Sequence, residues 1–465
     1  MIESDWKPPG VVEIARSIRA QEISAVDILE HFLSRIANLE PRHKAYVVQI
    51  PERARERALA IDAAIKRGDK VGPLAGVPMA LKDIFDMTGL PTTAAMAIRR
   101  QAIAEQDATV VRRLEQAGAV ILGKLTLTEG VYAEHVPPFT APVNPWNADY
   151  WVGASSTGSG VAVSAGLCSA ALGSETGGSI KLPAAANGVT ALKPTWGRVS
   201  RHGVFELAAT LDHVGPFAQS AADAAAVLSV IAGADDADPT ASQVAVPDYA
   251  ATLSSGIDGL RIGIDPQWIA SCVDTETANA LDDAVAVLEQ AGAKLITAKV
   301  PDVTDMIWDW FPICAVQTAL AHQETFPSRR DEYGPALSEL LDMGNALSGL
   351  DYQKLILRRD GFRGHLNELF SRIDVLALPV LAFPVPSLER MSQVDDEMIA
   401  GFHRFTCPFN LTGSPGIVLP CGFNSEAMPI VFQLVGRHFE EDILLSAGAA
   451  FQDATQWHLQ RPNCG

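Results

Sequence analysis

The chain has 465 residues, 48% of them hydrophobic and 20% charged, enough to bury a large core. Acidic residues outnumber basic ones 55 to 36, and the net charge of −19 argues against nucleic acid as a direct partner. No apolar run reaches the roughly 18 residues of a membrane span, and the N-terminus MIESDWKPPG lacks the basic and apolar regions of a signal peptide. The six cysteines form neither a C-x-x-C pair nor a disulfide framework. These features together lead us to expect a cytoplasmic protein with no metal, no cofactor and no membrane attachment.

In chain order, residues 10–40 read as two helices. Ser24 caps the second, and Ile28, Phe32, Leu33 and Ile36 share its apolar face. Residues 51–67 read as a charged surface helix, and 73–81 as a buried strand ending at Lys82. Residues 109–118 form a helix closed by glycine, followed by a short buried strand at 119–123. Four prolines, Pro137, Pro138, Pro142 and Pro145, make 134–152 an irregular loop. The apolar run 161–172 has the length of a buried helix, and 220–233 is an alanine-rich helix. The polar, acidic stretch 234–247 is a weak boundary candidate. Strand, helix and strand then follow at 260–264, 275–292 and 294–300, a βαβ rhythm that implies parallel pairing and a sheet covered on both faces. Residues 303–370 are helical and rich in aromatics, and strands return at 374–378, 417–419 and 430–435. There is no internal repeat. The predicted fold is α/β: one α/β/α domain over 1–465 with a central mixed, mostly parallel twisted sheet and a helical insertion at 303–370.

The chemistry concentrates in residues 153–183. Ser155 and Ser156 open the cluster GASSTGSG, and Ser179 closes Thr176-Gly177-Gly178-Ser179, 24 positions after Ser155. A serine hydroxyl attacks only when a base removes its proton. The G-x-S-x-G elbow of histidine-based hydrolases is absent, and none of the ten histidines lies near the clusters. A lysine can serve when neutral, which requires burial or a neighbouring cation. Lys82, at the end of an apolar run, suits that role. Paired glycines bring successive N–H groups towards a ligand, and four such groups at 176–179 suit an oxyanion hole. Plainer readings exist for each piece. A Ser/Gly stretch is often a linker, but here an apolar run and a second cluster follow it. A phosphate loop needs Gly-Lys-Ser/Thr, and no lysine lies between Lys124 and Lys181. A lone lysine in an apolar run often snorkels. Lys181 reads as a surface or ion-pair residue rather than an electrostatic aid to the site, and Ser156 and Ser159 as loop hydrogen-bonders. Ser4-Asp-Trp-Lys7 fits an S-x-x-K pattern at a terminus where order is least expected, a chance match.

Taken together, GASSTGS, then GSETGGSIKLPA, preceded by GPLAGVP at 72–78 with Lys82-Asp83, resemble the amidase signature family. Further matching pieces are Gly89-Leu-Pro-Thr-Thr93, Asn144-Pro145, Asn187-Gly188-Val189, Leu192-Lys193-Pro194-Thr195, Gly197-Arg198-Val199-Ser200, Phe409-Asn410 and Gly413-Ser-Pro415. The resemblance implies Ser179 as nucleophile, Ser155 as a bridging serine on a cis Ala154–Ser155 peptide, and Lys82 as base. It also implies the backbone N–H groups of Thr176, Gly177, Gly178 and Ser179 as the oxyanion hole. Three positions depart from the family pattern: Ala154 and Thr157 replace glycines, and Glu175 replaces an aspartate.

The implied activity is hydrolysis of small-molecule amides, with esters and carbamates (urethanes) open to the same acyl-enzyme route, in a chain that could form a homodimer. Apolar and aromatic side chains line pockets for organic acyl groups. Trp308, Trp310 and Phe311 of the helical insertion, and Tyr132, Phe139 and Trp146 near the proline-rich loop, are therefore candidate substrate contacts. Two competing readings are the glutaminase subunit of a tRNA-dependent amidotransferase and a non-catalytic scaffold. The three departures argue against the first. Intact Ser179, Ser155 and Lys82 argue against the second.

Overall fold

The computed structural model describes residues 8–464, so the Ser4–Lys7 pattern lies outside the described residues. The first helices form as their sequences dictate. Ser24 Oγ accepts from Asp27 N at the start of Ala25–His43, and Ile28, Leu29, Phe32 and Ile36 are buried along one face. The charged helix Pro51–Lys66 buries only Ala54, Ala58 and Ile61. Thr109–Gln116 ends just before Gly118, which takes φ +91°.

Eleven strands form one sheet: β1 (Tyr46–Gln49), β2 (Pro78–Lys82), β3 (Val120–Leu125), β4 (Ala170–Glu175), β5 (Thr190–Lys193), β6 (His213–Ala218), β7 (Arg261–Ile264), β8 (Lys294–Thr297), β9 (Val375–Pro379), β10 (Gly416–Phe423) and β11 (Pro429–Gly436). Their spatial order is β1-β3-β2-β4-β6-β5-β10-β11-β9-β7-β8. β2, β3, β4, β6 and β9 are buried at every residue, as strands covered on both faces must be.

The sheet is mixed, but parallel pairing does not dominate it as expected. It is confined to β3–β2–β4 near one edge and β9–β7–β8 at the other. The strands between these groups pair antiparallel, as does β1 with β3. The β7–β8 unit, with helix Thr275–Gln290 between its strands, is the βαβ unit read from sequence. β10 and β11 are instead joined by a tight turn, where Asn424 Oδ1 accepts from Glu426 N and Met428 N, and a short turn permits only antiparallel pairing.

Two other expectations change. The run 161–172 is not one helix. Helix Thr157–Ser164 stops, Gly166 turns with φ +67°, and β4 begins at Ala170. Both pieces are fully buried, and an apolar run without periodicity does not distinguish helix from strand. The stretch 234–247 marks no boundary, because strands before and after it share the sheet. Its backbone is also tied down, with Arg198 Nη1 donating to Val244 O and Ala245 O. Residues 303–370 carry the helices Thr304–Ala321, Pro335–Ala346 and Gly349–Phe370.

Candidate active site

Lys82 is the last residue of β2, which lies between β3 and β4. Its side chain is wholly buried. Nζ sits 2.8 Å from Ser155 Oγ, 3.0 Å from Ser156 Oγ and 3.0 Å from Ser174 Oγ. None of its hydrogen-bond partners is a carboxylate. Burial lowers its pKa from 10.5 to about 7, against the weaker opposing pull of Asp212 and Glu175. Ser156 commits its proton to Ser174 O at 3.1 Å, so its oxygen accepts from the lysine. A neutral amine offers two protons and one lone pair. It can donate to Ser156 and Ser174 while its lone pair faces the Ser155 hydroxyl.

Ser155 follows a cis Ala154–Ser155 peptide at the entrance to helix Thr157–Ser164. Ser156 N donates to Ser179 O at 3.3 Å and so joins the two serine clusters. Thr157 Oγ1 lies 3.2 Å from His135 Nε2 and packs into this junction.

Ser179 stands in the loop between β4 and helix Lys181–Asn187. Gly178 takes φ +154°, and a Cβ on Gly177 would lie 2.5 Å from Trp310 Cζ2, so neither position accommodates a side chain. Glu175, the departure from aspartate, closes the loop from below. Its Oε2 accepts from Ile180 N and Lys181 N, both at 2.9 Å, while Oε1 faces the buried Lys181 Nζ at 3.8 Å. Of the surface and ion-pair roles its sequence suggested, Lys181 takes the ion pair and is wholly buried, and that burial pulls its pKa down. Thr176 Oγ1 donates to buried Asp212 at 2.6 Å, and burial raises that carboxyl to about 6. The N–H groups of Thr176, Gly177, Gly178 and Ser179 find no acceptor among the described residues. Four consecutive orphan donors in a buried loop form a preorganised site for negative charge.

A cavity of about 380 Å³ opens onto Ser179, Gly178 and Gly177. Apart from Glu134, His403 and Ser179 itself, its walls are apolar and aromatic, and no lysine or arginine lines it. Tyr132 and Phe311 reach this cavity. Phe139, Trp146 and Trp308 do not line it. Trp146 Nε1 donates to Asn187 O, and its ring packs on Phe423 with centroids 5.0 Å apart. Phe139 packs half-buried at the core edge. Trp308 is 41% exposed, because residues two apart on a helix point about 200° apart and Trp310 takes the inward face. Sequence reasoning missed Ser174, Trp151, Phe402 and His403. Ser174 stands inside the motif it accompanies and could have been weighed there. Trp151 stands two residues before the GASSTGSG cluster and could likewise have been weighed, whereas Phe402 and His403 arrive from a distant segment and carry no local signal. A second cavity of about 590 Å³, beside Glu13 and Arg461, shares no lining residue with this site.

The amidase family profile matches residues 27–445. The Mycobacterium tuberculosis candidate amidase AmiD is 44% identical over 97% of this chain and 95% of its own length. A glutamyl-tRNA(Gln) amidotransferase subunit from Roseiflexus castenholzii is 38% identical over 96% of each chain. Among solved structures, 6-aminohexanoate cyclic dimer hydrolase superposes with a TM-score of 0.89 at 29% identity, covering 98% of this chain and 99% of its own. The chain belongs to the amidase family and hydrolyses carbon–nitrogen bonds of amides.

Proposed function

We propose that this amidase works through an acyl-enzyme on Ser179, with Ser155 as proton relay and Lys82 as base, on amides of neutral, apolar acyl groups. The observation that carries the reading is Lys82, buried with its pKa near 7 and hydrogen-bonded only to hydroxyls. Ser179 Oγ forms a bond to the substrate carbonyl carbon while its proton passes to Ser155, whose own proton passes to Lys82. The carbonyl oxygen gains negative charge facing the N–H groups of Thr176, Gly177, Gly178 and Ser179. The C–N bond then breaks as Lys82 returns the proton through Ser155 to the departing nitrogen. Water then attacks the acyl carbon as its proton passes through Ser155 to Lys82, and the bond to Ser179 Oγ breaks as that proton returns to Ser179 Oγ, releasing the acid. Each half-cycle returns Lys82 to its neutral form. Removing one oxyanion donor typically costs about 10²–10³ in rate.

Esters and carbamates of the same acyl groups fit this chemistry, because only the leaving atom changes. The aromatic walls and the helical insertion at 303–370, which supplies Trp310 and Phe311, support an apolar acyl group. The absence of lysine and arginine from the lining opposes glutamine, whose α-carboxylate would enter without a partner. This weighs against the amidotransferase-subunit reading. Six unpaired cysteines support a reducing, cytoplasmic setting. Among the described residues no helix is long and apolar enough to cross a membrane.

The test is hydrolysis of an aryl anilide, an aliphatic amide, glutamine, a p-nitrophenyl ester and an aryl carbamate by wild type, Ser179→Ala and Lys82→Ala. Anilide turnover lost in both variants is the expected result. Turnover that survives Ser179→Ala overturns the assignment of the nucleophile.

A further inference from the structure

Each trans peptide plane sets its carbonyl and the following N–H on opposite sides. Whatever holds the Thr176 carbonyl therefore aims the Gly177 N–H, and whatever holds the Gly177 carbonyl aims the Gly178 N–H. Both carbonyls are held by side chains from outside the loop. Trp310 Nε1 donates to Thr176 O at 2.9 Å, from helix Thr304–Ala321. Cys407 Sγ donates to Gly177 O at 3.3 Å, from the start of helix Cys407–Leu411. Trp310 is 4% exposed and Cys407 wholly buried, so water does not compete for either carbonyl.

We propose that Trp310 and Cys407 are positioning residues that aim the Gly177 and Gly178 N–H groups at the developing oxyanion, an inference that rests on the Ser179 acyl-enzyme proposed above. Trp310 also walls the cavity beside Ser179. Its ring stacks on His403 with centroids 5.5 Å apart and meets Phe311 edge-on at 5.1 Å. One indole thus bounds the space for the acyl group and holds the loop that stabilises the transition state. How well an acyl group fits against Trp310 is therefore expressed in kcat, not in KM alone. The thiol of Cys407 stays protonated and able to donate, because burial pushes its pKa well up.

Trp310→Phe keeps an aromatic ring and removes the donor. Cys407→Ala removes the weaker S–H donor, and Cys407→Ser keeps a donor at that position. Hydrolysis of butyryl p-nitroanilide is measured for each, with active enzyme counted by fluorophosphonate labelling of Ser179. Inhibition by butylboronic acid, which forms a tetrahedral adduct on a serine, is measured alongside. Trp310→Phe is expected to lower kcat about tenfold, less than the ~10²–10³ of deleting a donor outright. KM stays within twofold, and the boronate binds more weakly by the same factor as kcat falls. Cys407→Ala is expected to lose about threefold by the same logic, and Cys407→Ser less than Cys407→Ala. Unchanged kcat and boronate affinity in both Trp310→Phe and Cys407→Ala overturn the inference, as does a loss confined to KM. If Trp310→Phe does not fold, the Cys407 pair decides alone. Activity surviving Ser179→Ala refutes instead the acyl-enzyme beneath the inference, so the two failures are separable.

Discussion

Replacing Lys82 with methionine turns the burial argument into a measurable pH dependence of stability. In the native chain the amine titrates near pH 7, against 10.5 for an ordinary lysine. Between those values the unfolded chain holds a proton that the native chain has released. Stability from this group therefore rises with pH across that window, by about 1.4 kcal/mol per pH unit at its steepest, and levels off below pH 7. Lys82→Met abolishes this titration and leaves the other groups in place. The unfolding free energy of wild type relative to Lys82→Met is expected to grow by about 2 kcal/mol between pH 7 and pH 9. Urea unfolding at the two pH values, with matched m-values, reads that difference directly. The same group sets the acidic limb of kcat/KM, half-maximal near pH 7, because only the neutral amine accepts a proton. A stability difference that stays constant from pH 7 to pH 9 refutes the reasoning, as does an acidic limb more than about 1.5 units from 7.

Glu175→Ala leaves two buried N–H groups without an acceptor and Lys181 without its partner, and thermal unfolding should report a loss of about 3–5 kcal/mol. Phe311→Ala and Phe402→Ala should change the ratio of kcat/KM between acetyl and hexanoyl anilides, because both rings line the cavity. Trp146→Ala and Trp308→Ala, whose rings lie outside that lining, should leave the ratio unchanged. A succinyl anilide carries a carboxylate into a cavity with no cation and should react at least about 100-fold more slowly than the butyryl anilide, as measured by kcat/KM.

Sequence made the serine clusters and Lys82 legible because their chemistry is written in residue type and order. The strand ending at Lys82 lies buried as its apolar run suggests. The antiparallel centre of the sheet was not legible, because β5, β6, β10 and β11 are paired by turn geometry and by partners far away in sequence. The split of 161–172 into helix and strand left no trace in a run of small apolar residues that is buried throughout. Around the site, Trp310 stood among the aromatics that drew attention, but its N–H on Thr176 O is a tertiary contact across 134 residues. Phe402 and His403 reach the cavity from beyond β9, and nothing in their own neighbourhood announces it.

The most direct measurement is active-site labelling with a fluorophosphonate, read by peptide mass spectrometry together with anilide hydrolysis. One adduct per chain on Ser179 is expected, with activity lost in step with labelling and neither labelling nor activity in Ser179→Ala. An adduct on another residue, or anilide hydrolysis that continues once Ser179 is blocked or removed, contradicts Ser179 as the nucleophile.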